Sequence, residues 1–208
     1  MTRVKICGLT RAEDVHAARA ADAVGFVVAS PESPREVGLE RARTLADLAT
    51  PFQVTYAVTV TEDPKVLETI VETVRPQALQ LHGRVEPRVV EGLRRRNPAL
   101  RFVLSRGVEH EAGVPEGFHA LHLDARAEGG YGGTGRPLDL ARAARIVERL
   151  APTPVIVAGG LTPENVAAAV QTTGAYAVDV ASGVESAPGR KDAARVRAFI
   201  AAARGAGA

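Results

Sequence analysis

The sequence predicts a single α/β domain folded as a closed (β/α)8 barrel of the TIM type, and three observations lead there. Short apolar, β-branched runs alternate with longer stretches of helical period, the rhythm of a parallel sheet flanked by helices. Eight such runs can be counted, the number that closes a barrel. A chain of 208 residues suits one domain, expected over 1–204, with the Ala/Gly tail 205–208 having nothing to bury and fraying.

The eight strand candidates are Val4–Cys7, Val24–Val28, Gln53–Val60, Ala78–Leu81, Phe102–Ser105, Ala120–Leu123, Val155–Ala158 and Ala177–Val180. Most are apolar throughout, as strands buried on both faces should be. Helix starts follow several of them: Thr10 before Arg11–Ala21, Asp63-Pro64 before Lys65–Val74, Thr162-Pro163 before Glu164–Val170, and Asp192 before Ala193–Ala203. The run Arg94-Arg95-Arg96 closes a further helix, where cations complement the negative end of the dipole. Between the fifth and sixth strands, Arg106–His119 carries Gly107, Gly113, Pro115 and Gly117, so a loop is expected there instead of a regular helix.

Composition narrows the function. Lys plus Arg number 26 and Asp plus Glu 24, a net charge of +2 scattered along the chain, which argues against a nucleic-acid surface. One cysteine excludes an internal disulfide and a cysteine-based metal site, and no second histidine stands at ligand spacing from His82, so no metal is implied. With no signal-like segment and no apolar run near the roughly 20 residues that span a bilayer, a soluble cytoplasmic protein is expected. Monomer and homodimer both stay open.

Barrels of this kind place their sites just past the C-terminal ends of the strands. Cys7 ends the first strand, Arg35 lies in the loop after the second, Gln80 and His82 bracket the end of the fourth, and Asp124 ends the sixth. Gly159-Gly160 follow the seventh strand, while Asp179 and Ser182-Gly183 close the eighth. Glycines in the seventh and eighth loops allow backbone N–H groups to approach a phosphate, so the expected partner is a phosphorylated small molecule. Cys7, near a helix N-terminus, is a candidate base or nucleophile through a lowered pKa, against the plainer alternative of a buried small hydrophobe, and Asp124 is its candidate acid partner, against that of a solvated strand-end carboxylate. A base and an acid on opposite sides of a sugar suit a proton-shuttling isomerisation. Arg35 has the fork that clamps a carboxylate, against the plainer alternative of a solvated arginine. His82 serves either in packing or as a substrate contact.

The run Gly130–Gly135, GYGGTG, formally matches a dinucleotide fingerprint. It is separated from its strand, opens onto Arg136-Pro137 instead of a helix, and is followed by a strand ending in Ala158-Gly159 with no ribose-binding acid. A glycine loop lidding the rim is the better reading, and Gly133 counts among the expected substrate contacts.

With KICGLT (Lys5–Thr10), SPR (Ser33–Arg35), QLHG (Gln80–Gly83), LD followed by GGYGGTG (Leu123–Gly135), AGGLTPENV (Ala158–Val166) and VDVASGVESAPGRKD (Val178–Asp192) in order, the chain resembles the phosphoribosylanthranilate isomerase family over nearly its whole length. The resemblance implies a cofactor-independent Amadori rearrangement of N-(5-phosphoribosyl)anthranilate on the route to tryptophan. It implies Asp124 as general acid, Cys7 as general base, Arg35 on the anthranilate carboxylate, backbone amides around Gly159-Gly160 and Ser182-Gly183 on the phosphate, and Asp179 near the sugar hydroxyls. It also implies an irregular fifth helical unit.

The chain departs from the family pattern at Ala181, where Ser is frequent, in TYAVTV (Thr55–Val60), at Leu140, and in the extra Ser-Pro pair before Arg35. An indole-glycerol-phosphate synthase would need a catalytic lysine at a strand end. The alternation V-K-I-C instead turns Lys5 to the same face as Cys7, inside the barrel near its floor, and Lys65 and Lys191 sit at predicted helix starts. A metabolite sensor without turnover would have no use for an acid/base pair. A dual isomerase shared with histidine synthesis generally carries a carboxylate where Cys7 stands.

Overall fold

The computed structural model describes residues 1–83, 85–109, 113–125 and 138–206. Eight parallel strands close into a barrel: β1 (Arg3–Ile6), β2 (Ala23–Val27), β3 (Val54–Thr59), β4 (Ala78–His82), β5 (Arg101–Gly107), β6 (Ala120–Asp124), β7 (Val155–Val157) and β8 (Ala177–Val180). Each pairs with the next, and β8 returns to β1 with Lys5 opposite Asp179. Seven helices are described: α1 (Ala12–Ala17), α2 (Leu39–Ala46), α3 (Pro64–Val74), α4 (Pro87–Arg96), α5 (Leu140–Leu150), α6 (Val166–Thr173) and α7 (Ala193–Gly205). Among the described residues between β5 and β6 there is no helix, as the Gly/Pro content predicts.

The apolar faces of strands and helices meet in one continuous core that includes Val24, Phe26, Leu67, Ile70, Leu79, Leu81, Phe102 and Phe199. A second, smaller cluster of Val103, Ala120, Ile156 and Ala177, with Tyr56 packed on it, joins residues from β5, β6, β7, β8 and β3 inside the barrel. Two residues further along the same strands come Ser105, His122 and Asp179, so the period of two places a polar layer between the apolar floor and the rim.

Sequence signals fix several helix starts. Asp63 accepts from the Lys65 N–H at 2.8 Å with Pro64 at the first position, and Asp192 accepts from the N–H groups of Ala194 and Arg195. Two expected starts are corrected. Thr10 does not cap α1, because its hydroxyl donates to the Gly189 carbonyl at 2.6 Å. The helix also ends at Ala17, not Ala21, since Asp22 must turn back to β1, where its carboxylate takes the Val4 N–H at 2.8 Å. Gln53, expected in the third strand, lies just before it and donates to the carbonyls of Ala18 and Ala21 that this early ending frees. At α6 the cap is Asn165, not Thr162, and the side-chain carbonyl of Asn165 takes the Thr162 N–H.

After β8 the chain makes a single 3-10 turn over Ser182–Val184 and then a short antiparallel hairpin, β9 (Glu185–Ala187) and β10 (Arg190–Lys191). Lys191 therefore lies on a strand and not at a helix start as its position beside Asp192 suggests. The last helix runs to Gly205, one residue into the expected tail, and residues 207–208 lie outside the described residues. Among the described residues, no helix is long and apolar enough to cross a membrane.

Candidate active site

The C-terminal ends of the strands gather most of the residues that the sequence singles out. Cys7 follows the last residue of β1, is 7% exposed, and donates its backbone N–H to the Val180 carbonyl at the end of β8. Its thiol rests against β2, where a Cβ on Gly25 would lie 2.9 Å from Sγ. Gly8 continues with φ +71, and a Cβ there would fall 2.6 Å from the Cδ of Arg35. This left-handed, side-chain-free turn is what lets Arg35 pack against Gly8, next in the chain to Cys7.

Arg35 is buried, not solvated. Its Nε donates to Glu185 Oε1 at 2.8 Å and its Nη2 to Glu185 Oε2 at 2.7 Å, a two-point ion pair. Lys191 Nζ approaches the same Glu185 Oε1 at 2.8 Å and donates to the Ala181 carbonyl at 3.0 Å. Burial alone would push the Glu185 carboxyl up, but the hydrogen bond from Arg35 and the charge of Lys191 hold it below the ordinary range. The Nε/Nη2 edge that would clamp a ligand carboxylate is thus taken by Glu185.

Asp124 ends β6, separated from β1 in the ring by β7 and β8, so it stands at another side of the barrel mouth from Cys7. The loop after β7 packs on it. Gly159, at φ +95, runs so close that a Cβ would meet the Ala125 nitrogen at 2.4 Å and Asp124 Oδ1 at 2.9 Å. Gly183 would place a Cβ 1.8 Å from the Leu161 carbonyl, so the backbones of the seventh and eighth loops touch. Gly160, whose carbonyl takes a hydrogen bond from Asn165, is exposed on this seam, as is Ser182. Backbone from both loops is therefore available to one anion at the rim.

Below the rim lies the polar layer. Lys5 Nζ is 2.8 Å from Asp179 Oδ2, His122 Nε2 is 2.9 Å from the same oxygen, and His122 Nδ1 is 2.9 Å from the Ser105 hydroxyl. Asp179 Oδ1 is buried with no hydrogen-bond partner among the described residues. Burial would push the Asp179 carboxyl up, but Lys5 and His122 override it and hold it at about 2. Burial would likewise depress the Lys5 ammonium, yet Asp179 and Cys7 leave it raised above its ordinary value. At the end of β4, His82 Nε2 is 3.0 Å from the Gln80 side-chain nitrogen, and its ring centroid is 6.0 Å from that of His122.

One expectation is reversed. No helix N-terminus lowers the Cys7 thiol; α1 begins only at Ala12, and burial pushes the thiol above its ordinary pKa, with Lys5 and Lys191 pulling it partway back. Lys191, Glu185, Ser105, His122 and Gly25 are site residues that sequence reasoning passed over. The alternation A-L-H-L-D could have found His122, which shares its face with Asp124, but no local signal reveals the hairpin that buries Lys191 and Glu185. Gly133, with the rest of GYGGTG, lies outside the described residues. Among the described residues, no group of three or more His, Cys, Asp or Glu could hold a metal ion.

Fold and rim together define a (β/α)8-barrel protein whose polar groups collect at the strand C-termini, the layout of barrel enzymes. The sequence model of N-(5'phosphoribosyl)anthranilate (PRA) isomerase matches residues 4–202. The N-(5'-phosphoribosyl)anthranilate isomerase of Natronomonas pharaonis is 41% identical over 210 residues, 99% of each chain. The crystal structure of phosphoribosyl anthranilate isomerase from Thermotoga maritima superposes with a TM-score of 0.84 at 32% identity, over 99% of this chain and 100% of that one. A further crystal structure, of phosphoribosyl anthranilate isomerase in complex with reduced 1-(o-carboxyphenylamino)-1-deoxyribulose 5-phosphate, superposes with a TM-score of 0.80 at 30% identity over the same shares. The chain belongs to the phosphoribosylanthranilate isomerase family.

Proposed function

We propose that this chain converts N-(5-phosphoribosyl)anthranilate to 1-(2-carboxyphenylamino)-1-deoxyribulose 5-phosphate, a step of tryptophan biosynthesis, by general acid/base catalysis without a cofactor. The observation that carries the mechanism is the placement of a thiol and a carboxyl at the ends of β1 and β6, with the two glycine loops of β7 and β8 between them. Asp124 gives its proton to the furanose ring oxygen as the C1–O bond breaks, and the anthranilate nitrogen supplies the electron pair for the C1=N bond. Cys7, as thiolate, takes the C2 proton, and the C–H electrons neutralise the iminium to give an enolamine. Loss of the enol proton and protonation at C1 complete the ketone. Proton and electron count balance with no external oxidant or reductant.

Substrate contacts follow from the same geometry. The Nη1 edge of Arg35 holds the anthranilate carboxylate, its other edge being fixed by Glu185. Backbone amides around Gly159, Gly160, Ser182 and Gly183 hold the phosphate, which matches the contact of the two loops. A sugar hydroxyl is the donor that the unpartnered Asp179 Oδ1 lacks. His82, at the end of β4, and Gly133 complete the set of substrate contacts.

Freshly prepared N-(5-phosphoribosyl)anthranilate, followed by loss of its anthranilate fluorescence, tests the proposal. Catalytic conversion with the carboxyphenylamino-deoxyribulose phosphate recovered as product is expected. Tight binding of that product with no conversion would replace the isomerase with a metabolite-binding barrel.

A further inference from the structure

The chain uses 23 arginines and only three lysines. Lys65 lies on the surface at the start of α3, but Lys5 and Lys191 are 2% and 5% exposed, and the charge of each acts on Cys7. Lysine is almost never fully buried unless paired, and each of these has its own carboxylate. Lys5 Nζ stands 2.8 Å from Asp179, and Lys191 Nζ stands 2.8 Å from Glu185.

Geometry brings Lys5 to the thiol and Lys191 to the backbone that holds the Cys7 N–H. Cys7 Sγ and Lys5 Cε both lie within 3.3 Å of the point that a Cβ on Gly25 would occupy, so the base and the end of the lysine stem share one niche on β2. From the other side, the Lys191 ammonium binds the Ala181 carbonyl, while the carbonyl of the preceding residue, Val180, takes the Cys7 N–H. The hairpin that delivers Lys191 is anchored by the bond from Thr10 to Gly189.

We propose that Lys5 and Lys191 are positioning residues for the isomerisation, two compact buried cations that stabilise the Cys7 thiolate from below and from above. The inference rests on Cys7 being the base. An arginine in either place would bring a wide planar fork, whereas an ammonium is a point charge that fits between Asp179 and the Tyr56 ring, 5.1 Å away, or between Glu185 and a carbonyl. That contrast accounts for lysine at these two positions in a chain that otherwise relies on arginine.

Among the described residues, the other charged and titratable groups on these elements are Asp179 from β8 with His122 from β6 bonded to it, Glu185 from β9 paired with Lys191, Arg35 from the loop after β2 packed against Gly8, and Tyr56 from β3 beside Lys5. Lys5 and Asp179 cancel in net charge, but Lys5 acts on the thiol more strongly than Asp179 does, and Arg35 and Lys191 against Glu185 leave one positive charge. Burial raises the thiol, Asp179 adds to that, and Lys5 and Lys191 oppose it, which agrees with the geometric argument.

Because Cys7 is the sole cysteine, its ionisation can be read from ultraviolet absorbance as pH is raised, with no substrate present, as the difference from Cys7→Ser, which subtracts the three tyrosines. The variants are Lys191→Met and the charge-neutral double variant Lys5→Met with Asp179→Asn, which leaves no unpaired buried carboxylate. Each is expected to move the thiol midpoint to higher pH. For Lys191→Met, turnover should fall about tenfold at neutral pH, with KM little changed and activity recovering as pH rises. Lys191→Arg, which keeps the charge but not the shape, serves if Lys191→Met does not fold, and a thiol midpoint above wild type is again expected. A midpoint equal to wild type in a folded variant overturns the proposal for that lysine. Failure of the parent reading looks different: the wild type would not turn over substrate while its thiol titrated as described.

Discussion

Glu185 grips Arg35 through both carboxylate oxygens, at 2.8 and 2.7 Å, although 150 residues separate them in sequence. The pair joins the loop after β2 to the hairpin after β8 and fixes the plane of the guanidinium before any ligand arrives. Preorganising a charged group in this way lowers the cost of binding its partner. Replacing Glu185 with Gln removes a charge-assisted pair of hydrogen bonds and frees the fork to rotate. KM for phosphoribosylanthranilate should rise about tenfold, with a smaller change in kcat, as steady-state kinetics on Glu185→Gln would show.

Gly25 is the wall against which the Cys7 thiol rests. A Cβ added there would come 2.9 Å from Sγ, closer than real carbon atoms pack, and 3.3 Å from Lys5 Cε. Its backbone needs no left-handed conformation, so Gly25→Ala should fold, with the thiol pushed from its place. Displacing a reacting group by about 1 Å costs about a hundredfold in rate. The expected result is a drop of that order in kcat with circular dichroism unchanged.

The Lys5–Asp179 pair makes stability depend on pH at both extremes. Asp179 has a folded pKa of about 2 against an ordinary 3.8, so its contribution is complete above about pH 4 and is lost as pH falls through about 2. Lys5 is raised above its ordinary 10.5, so its contribution is complete below that value and is lost as pH climbs past it. The acid side is worth on the order of 2 kcal/mol. Urea unfolding from acid to neutral pH should show wild type losing this increment at the acid end. In the double variant Lys5→Met with Asp179→Asn the same step should be missing.

The architecture was legible because it depends on local signals. Eight apolar runs stand in the sequence as they stand in the barrel, most displaced by no more than a residue or two, and Asp63 and Asp192 cap the helices they announce. Thr10 shows the limit: its hydroxyl has the chemistry of a cap, but a carbonyl 179 residues away claims it. The candidate site divides in the same way. Cys7, Asp124 and the paired glycines lie at strand ends, where a barrel puts function, and period-two alternation turns Lys5 to the inward face that Cys7 shares, though its ammonium lies in the polar layer with Asp179 and not at the floor. Glu185 and Lys191 were hidden because their burial depends on a hairpin of two and three residues, too short to announce itself by periodicity. The direction of the Cys7 shift was missed for a related reason: a helix start can be read from sequence, but the depth of burial cannot.

The most direct test of the acid/base assignment is single-turnover and steady-state conversion of phosphoribosylanthranilate by wild type, Cys7→Ser and Asp124→Asn, with product affinity measured in parallel. The account predicts that both variants lose at least about a hundredfold in turnover while still binding product, as expected for groups that act in the transition state more than in binding. Turnover within a few fold of wild type in either variant would contradict it.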